Sequence, residues 1–109
     1  MKNNNYKINL VNDRPIIDIL SNVCWQLRVN NFENKIGKKK ETVEILLRRL
    51  IKEEQSDVIE TYLDRAEVEI IRRAFIVVKE EIEEWEFQTL FGVFLNEVEE
   101  MPILKNPID

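Results

Sequence analysis

Only two glycines occur in this chain of 109 residues, and each closes the same kind of segment. The first segment reads Phe32-Glu33-Asn34-Lys35-Ile36-Gly37 and the second Phe87-Gln88-Thr89-Leu90-Phe91-Gly92. A glycine at the end of such a segment marks a backbone position that needs positive φ or close approach, so both are expected to be turns that Phe32 and Phe87 anchor in the core. Sliding the first copy forward until Gly37 falls on Gly92 also pairs Ile16 with Ile71, Leu20 with Phe75, Val23 with Val78, Leu27 with Ile82, Val43 with Val98 and Glu44 with Glu99. Each copy then reads helix, Gly-closed turn, helix. The expected fold is all-α: a compact four- to five-helix bundle built from two pseudo-repeated helix-turn-helix units at about 14–54 and 65–103, neither able to bury its apolar face alone.

A chain of this length makes one domain, 1–109, large enough to hold a core without metal or disulfide. Apolar residues at 44% rule out a disordered composition, and with few Gly and Pro the middle of the chain has few break points. Cys24 is the only cysteine and there is no histidine, which excludes an internal disulfide and the usual Cys/His zinc sets. No cofactor or metal is implied. A reducing, cytoplasmic setting fits best. The N-terminal residues lack the continuous apolar stretch of a secretory signal, and no apolar run is long enough to span a bilayer. Neither export by that route nor a membrane span is expected.

The net charge of −5 conceals a sharp polarity. Residues 35–52 are strongly basic and residues 53–100 strongly acidic, while the two ends of the chain are nearly neutral.

Along the chain, residues 1–12 read as an N-terminal arm in which Tyr6, Ile8 and Leu10 alternate weakly, as coil or one edge strand. Asp13 before Arg14-Pro15 has the form of an N-cap followed by proline in the first turn, with Ile16, Leu20, Val23 and Leu27 carrying a helix to about Arg28. Asn30-Asn31 is a stop, since Asn tolerates left-handed geometry. A second helix follows Lys38-Lys39-Lys40 through Val43, Leu46, Leu47 and Leu50 to about Glu54, and Ser56 caps a short segment holding Val58, Ile59, Tyr62 and Leu63. Asp64-Arg65-Ala66-Glu67 has capping-box spacing and predicts a long third helix over 65–84, its stripe Val68, Ile71, Phe75, Val78, Ile82, Trp85 too long for a strand. Residues 93–101 form a shorter fourth helix, ended by Pro102, and the tail from Ile103 to Asp109 runs over the surface.

No catalytic constellation accompanies these elements, and the chain is not expected to be an enzyme. Without histidine, Cys24 and the few hydroxyls have no general base, and Cys24 sits among apolar helical neighbours as a small buried hydrophobe. The carboxylates lie on consecutive helical residues that point apart, with no loop or Glu-x-x-His pair to converge on an ion. Neither glycine turn has the further glycines or the Gly-Lys-Ser/Thr ending of a phosphate loop. Lys35, Lys38, Lys39 and Lys40, at a helix start where the dipole prefers acids, form either a solvated face or a contact for phosphates. No aromatic residues are interleaved with them to stack on bases, so nucleic acid is not the expected partner. Glu80-Glu81-Ile82-Glu83-Glu84-Trp85-Glu86 has the opposite fault: it crowds carboxylates at a helix C-terminus, and Glu80 and Glu84 repel at i,i+4. Such a cluster either solubilises or meets a basic partner. Within it, helical phase puts Trp85 on the core side, the alternative being an interface anchor.

Ile19-Leu20-Ser21-Asn22-Val23-Cys24, the Asn31 to Gly37 segment and Val43-Glu44-Ile45-Leu46-Leu47 resemble small bacterial proteins encoded beside polymorphic toxins of the contact-dependent growth inhibition and Rhs types, which look like immunity proteins. Their recurrent segment Glu-Phe-x-Thr-x-x-Gly, followed by a Glu-rich helix, is matched by Glu86-Phe87-Gln88-Thr89-Leu90-Phe91-Gly92, whereas the early copy departs from it at Asn31 and Asn34. The resemblance implies stoichiometric inhibition, in which the protein binds a cognate toxin domain, often a nuclease, and occludes its active site. On that reading an acidic face occupies a basic cleft as a phosphate mimic, with Glu80, Glu83, Glu84 and Glu86 as contacts, Glu97 and Glu100 next, and the protein itself a monomer or weak homodimer. The competing expectation is a small regulatory helical protein that uses its Lys/Arg face, from Lys35 to Arg49, on nucleic acid.

Overall fold

The computed structural model describes residues 6–106; the first five residues of the arm and the last three of the tail, including Pro107, lie outside it. The chain is mostly helical with one small sheet, and its radius of gyration of 13.1 Å is that of a single folded domain of this length.

Strand β1 spans Tyr6–Asn9 and helix α1 spans Pro15–Ser21, continued by a π-helical turn over Asn22–Gln26. After the short helix α2, Phe32–Ile36, comes the long α3, Lys40–Gln55, then strand β2, Glu60–Leu63, and the second long helix, α4, Arg65–Glu81. Three short helices finish the described chain: α5, Glu86–Phe91, α6, Leu95–Glu99, and α7, Pro102–Lys105. Helix α1 packs on both α3 and α4, with Ile16, Leu20, Leu47, Leu50 and Ile71 all fully buried. Arg49 ties the far ends together, donating to Glu67 on α4 at 2.9 Å and to the Tyr62 carbonyl on β2 at 3.0 Å.

The sheet is the main departure from an all-α bundle. β1 and β2 pair antiparallel, with Tyr6 opposite Leu63 and Asn9 opposite Glu60. Along β2 the side chains alternate, Thr61 and Leu63 inward and Glu60 and Tyr62 outward, which is the signature of a half-buried strand. Ser56, expected to cap the short segment that follows it, instead closes α3: its N–H bonds back to the Lys52 and Glu53 carbonyls, and Asp57 then turns the chain at φ 62°.

Other boundaries move for local reasons. The Asp13 carboxylate accepts from the backbone of Asn9 at 2.9 Å, fastening the β1 turn, and so does not cap α1. The first helix does not run on as α to Arg28, because the π turn takes over: Leu27 N–H bonds to the Asn22 carbonyl, Asn22 Nδ2 takes the Asp18 carbonyl, and Leu27 turns extended. The capping box at α4 forms in both directions, Glu67 N–H to Asp64 at 2.8 Å and Asp64 N–H to Glu67 at 2.9 Å. Pro102 does not merely stop a helix; it occupies the first turn of α7, whose Ile103 is buried and whose Ile103 carbonyl accepts from Arg72 Nε at 3.0 Å. The tail therefore docks on α4 as far as it is described.

Both glycine segments close alike. Gly37 ends α2 at φ 88° and Gly92 ends α5 at φ 73°, each N–H bonded to the carbonyl four residues back. Most paired positions are buried in both copies, but α3 has 16 residues where its counterpart α6 has 5, so the two units are unequal in length. Phe87 is fully buried, whereas Phe32 is half-buried at the edge of the core. A Cβ at Gly92 would meet nothing, so Gly92→Ala carries only the left-handed backbone penalty, about 1–2 kcal/mol. At Gly37 a Cβ would lie 3.5 Å from the Arg73 guanidinium, an ordinary contact, so Gly37→Ala should cost a similar amount. Thermal melts should show both variants destabilised, with Gly→Asn milder at each position.

Candidate functional site

The acidic segment begins where α4 ends, and α4 ends three residues sooner than its apolar stripe suggests. Ile82 turns extended at φ −119° and still buries its side chain, while Glu83 N–H is capped by the Glu86 carboxylate at 3.0 Å. Stopping at Glu81 keeps Glu83 and Glu84 out of the last helical turn, where the dipole opposes them, and Glu80 and Glu84 do not share a helical face. It also breaks the phase that would have carried Trp85 inward. Trp85 is 74% exposed, so the expectation of a core position is overturned.

The candidate contact residues divide by what holds them. Glu80, Glu83 and Glu84, with Glu81 between them, are exposed and make no ion pair among the described residues. Glu86 is half-buried and serves the backbone of Glu83. Glu97 accepts from the Phe94 N–H at 3.0 Å and so fastens the start of α6. Glu100 pairs with Lys105 at 2.7 Å, and Glu99 with Lys79 at 3.6 Å. The first three are thus offered to solvent, and the other three are partly spent on local structure.

Beside them lies an open groove of about 660 Å³ lined by Glu84, Trp85, Gln88, Phe94, Leu95 and Asn96. Phe94 is 55% exposed and Leu95 is half-buried against the core. Phe94 and Leu95 are not evident from the sequence stripe. The signal lies in Phe94-Leu95-Asn96-Glu97, where Glu three residues after Phe94 marks Phe94 as the residue before the helix, with its side chain free to point away from the core.

On the opposite charge, Lys35, Lys38, Lys39 and Lys40 are exposed and α3 starts at Lys40 with no side-chain cap. Trp25, which the sequence does not connect to this helix, lies against α3 farther along: its indole N–H donates to Glu44 at 2.9 Å and Arg48 stacks over its ring at 5.4 Å. Both Arg48 and Arg49 are therefore already engaged within the fold.

Cys24 is buried in the π turn, and desolvation, with Glu44 adding to it, pushes its thiol from the usual 9.0 to about 11. A raised acid pKa means the folded state keeps its proton after the unfolded state has lost it. The contribution of Cys24 is accordingly full below pH 9, declines as pH rises from 9 toward 11, and levels off above that. A thiol reagent at neutral pH should leave folded protein unmodified and label it only on denaturation.

Among the described residues no cluster of carboxylates and cysteine could hold a metal ion, and no helix is long and apolar enough to cross a membrane. No family model, no curated protein and no solved structure matches the chain.

Proposed function

We propose that this protein is a cytoplasmic, non-catalytic immunity protein that binds a cognate bacterial toxin domain, a nuclease in the first instance, and occludes its active site. The observation that carries the reading is the segment 80–85, where four carboxylates without an ion-pair partner among the described residues and a largely exposed tryptophan fall within six residues at the end of α4. Unpaired acids raise the rate of encounter with a basic surface, and an exposed indole supplies the apolar contact that holds a complex once formed. Glu80, Glu83 and Glu84 are the foremost contacts, and Glu86, Glu97 and Glu100 flank them. The two unequal helix-turn-helix units are the scaffold on this view, with Gly37 and Gly92 setting the turns. Co-expression with the product of the gene immediately upstream tests it: a stable complex and relief of toxicity support the reading, and no complex with no relief removes it.

The second reading, nucleic-acid binding through the Lys35 to Arg49 face, draws on four exposed lysines and on the partly exposed Trp25 against α3. It is the weaker one, because Arg48 already covers one face of the Trp25 ring and Glu44 holds its indole N–H, and no other aromatic residue is interleaved with the lysines. Retention on heparin at moderate salt would favour it.

A further inference from the structure

We infer that the groove lined by Trp85 and Phe94 receives an apolar side chain that a protein partner presents between cationic residues; the inference rests on the inhibitor reading of the same face. Two largely exposed aromatic residues and a half-buried leucine, Leu95, line the groove, so a branched apolar side chain entering it exchanges water for apolar contact. Its rim fixes the flanks of that side chain. Glu84 lines the groove itself, and Glu80, Glu81 and Glu83 precede it in the chain without ion-pair partners among the described residues. Lysine or arginine beside the inserted group would meet those carboxylates, and could also lie over the open indole face.

A second copy is the poorer occupant. Ile45, exposed on α3, has Glu41 on one side and, on the other, Arg48 and Arg49, which are already engaged with Trp25 and with Glu67, so it does not offer free cations on both flanks, and each copy carries a net charge of −5. The inference thus assigns separate tasks to neighbouring groups. The carboxylates govern the rate of association, and the groove governs how long the partner stays.

Trp25→Phe leaves Trp85 as the sole tryptophan, so its emission reports the groove directly. The probe is a short capped peptide with one leucine between lysines, set against the same peptide with serine in place of leucine. Expected is a saturable blue shift of Trp85 emission that weakens by about tenfold or more with the serine peptide, and likewise when Phe94→Ser is added. Equal binding of the two peptides overturns the inference, since charge alone would then account for it. So does a response confined to Trp25 in the Trp85→Phe protein, or sedimentation showing that the protein without peptide already occupies the groove with a second copy. The two readings fail separately: a toxin complex that forms unaltered with Trp85→Ser and Phe94→Ser removes the groove and keeps the inhibitor, whereas absence of any toxin complex removes the inhibitor and leaves the peptide result to decide the groove.

Discussion

Replacing Phe87 with alanine is expected to lower stability by about 3–5 kcal/mol, the usual cost of deleting a buried aromatic ring. Phe87 is fully buried, meets Phe75 edge-on with ring centres 6.5 Å apart, and leans on Phe91 at 5.0 Å. The contact with Phe75 joins α5 to α4, so the cavity would open between the long helix and the short helix that follows the acidic segment. For a domain of this size the loss corresponds to roughly 15–25 °C in Tm, and single domains hold only about 5–15 kcal/mol in total. Calorimetry of Phe87→Ala beside Phe32→Ala measures it. Phe32, half-buried, should cost less than about half as much, because its ring gives up less contact area. Equal losses at the two positions would mean that the two Gly-closed units share their burial more evenly than the packing around Phe87 indicates.

The second large effect should appear in binding with no matching loss of stability. Reversing Glu80, Glu83 and Glu84 to lysine is expected to slow association with a basic partner by at least about tenfold at low salt and to abolish most of its salt dependence. The same change should leave Tm level or raise it. Glu80 lies in the last turn of α4, where a cation suits the helix dipole and an anion opposes it, a difference of up to about 1 kcal/mol per charge. Stopped-flow association at several salt concentrations, with a thermal melt of the same sample, gives both numbers. A solubilising role would produce the melt result with unchanged association. A variant that loses binding and stability together would show that these acids hold the fold.

Much of this architecture is written locally in the chain. The capping box at Asp64 and the helical period through Phe75 define α4, and the apolar spacing from Val43 to Leu50 defines α3, because each signal is complete within its own helix. The sheet is different. Glu60–Leu63 carries the alternation of a strand, but whether four such residues extend or coil depends on a partner far away in sequence, and β1 supplies it. The π turn has no residue-type signature, being one extra residue accommodated in α1, so the exposure of Trp25 could not be read from the stripe it interrupts.

For the candidate site the acids were legible and the groove was not. Charge is visible residue by residue, whereas the position of Trp85 turns on where α4 stops, and Ile82 breaks the helix while keeping its own side chain buried. That one boundary converts a residue in phase with the core into the most exposed tryptophan of the chain.

The decisive measurement is a titration of the purified product of the gene immediately upstream with this protein, following the toxic enzymatic activity that the inhibitor reading assigns to that product. The inhibitor reading requires activity to fall linearly to zero at equimolar protein, with the endpoint displaced to large excess by the Glu80, Glu83, Glu84 reversal. Full toxin activity in the presence of excess wild-type protein would contradict it.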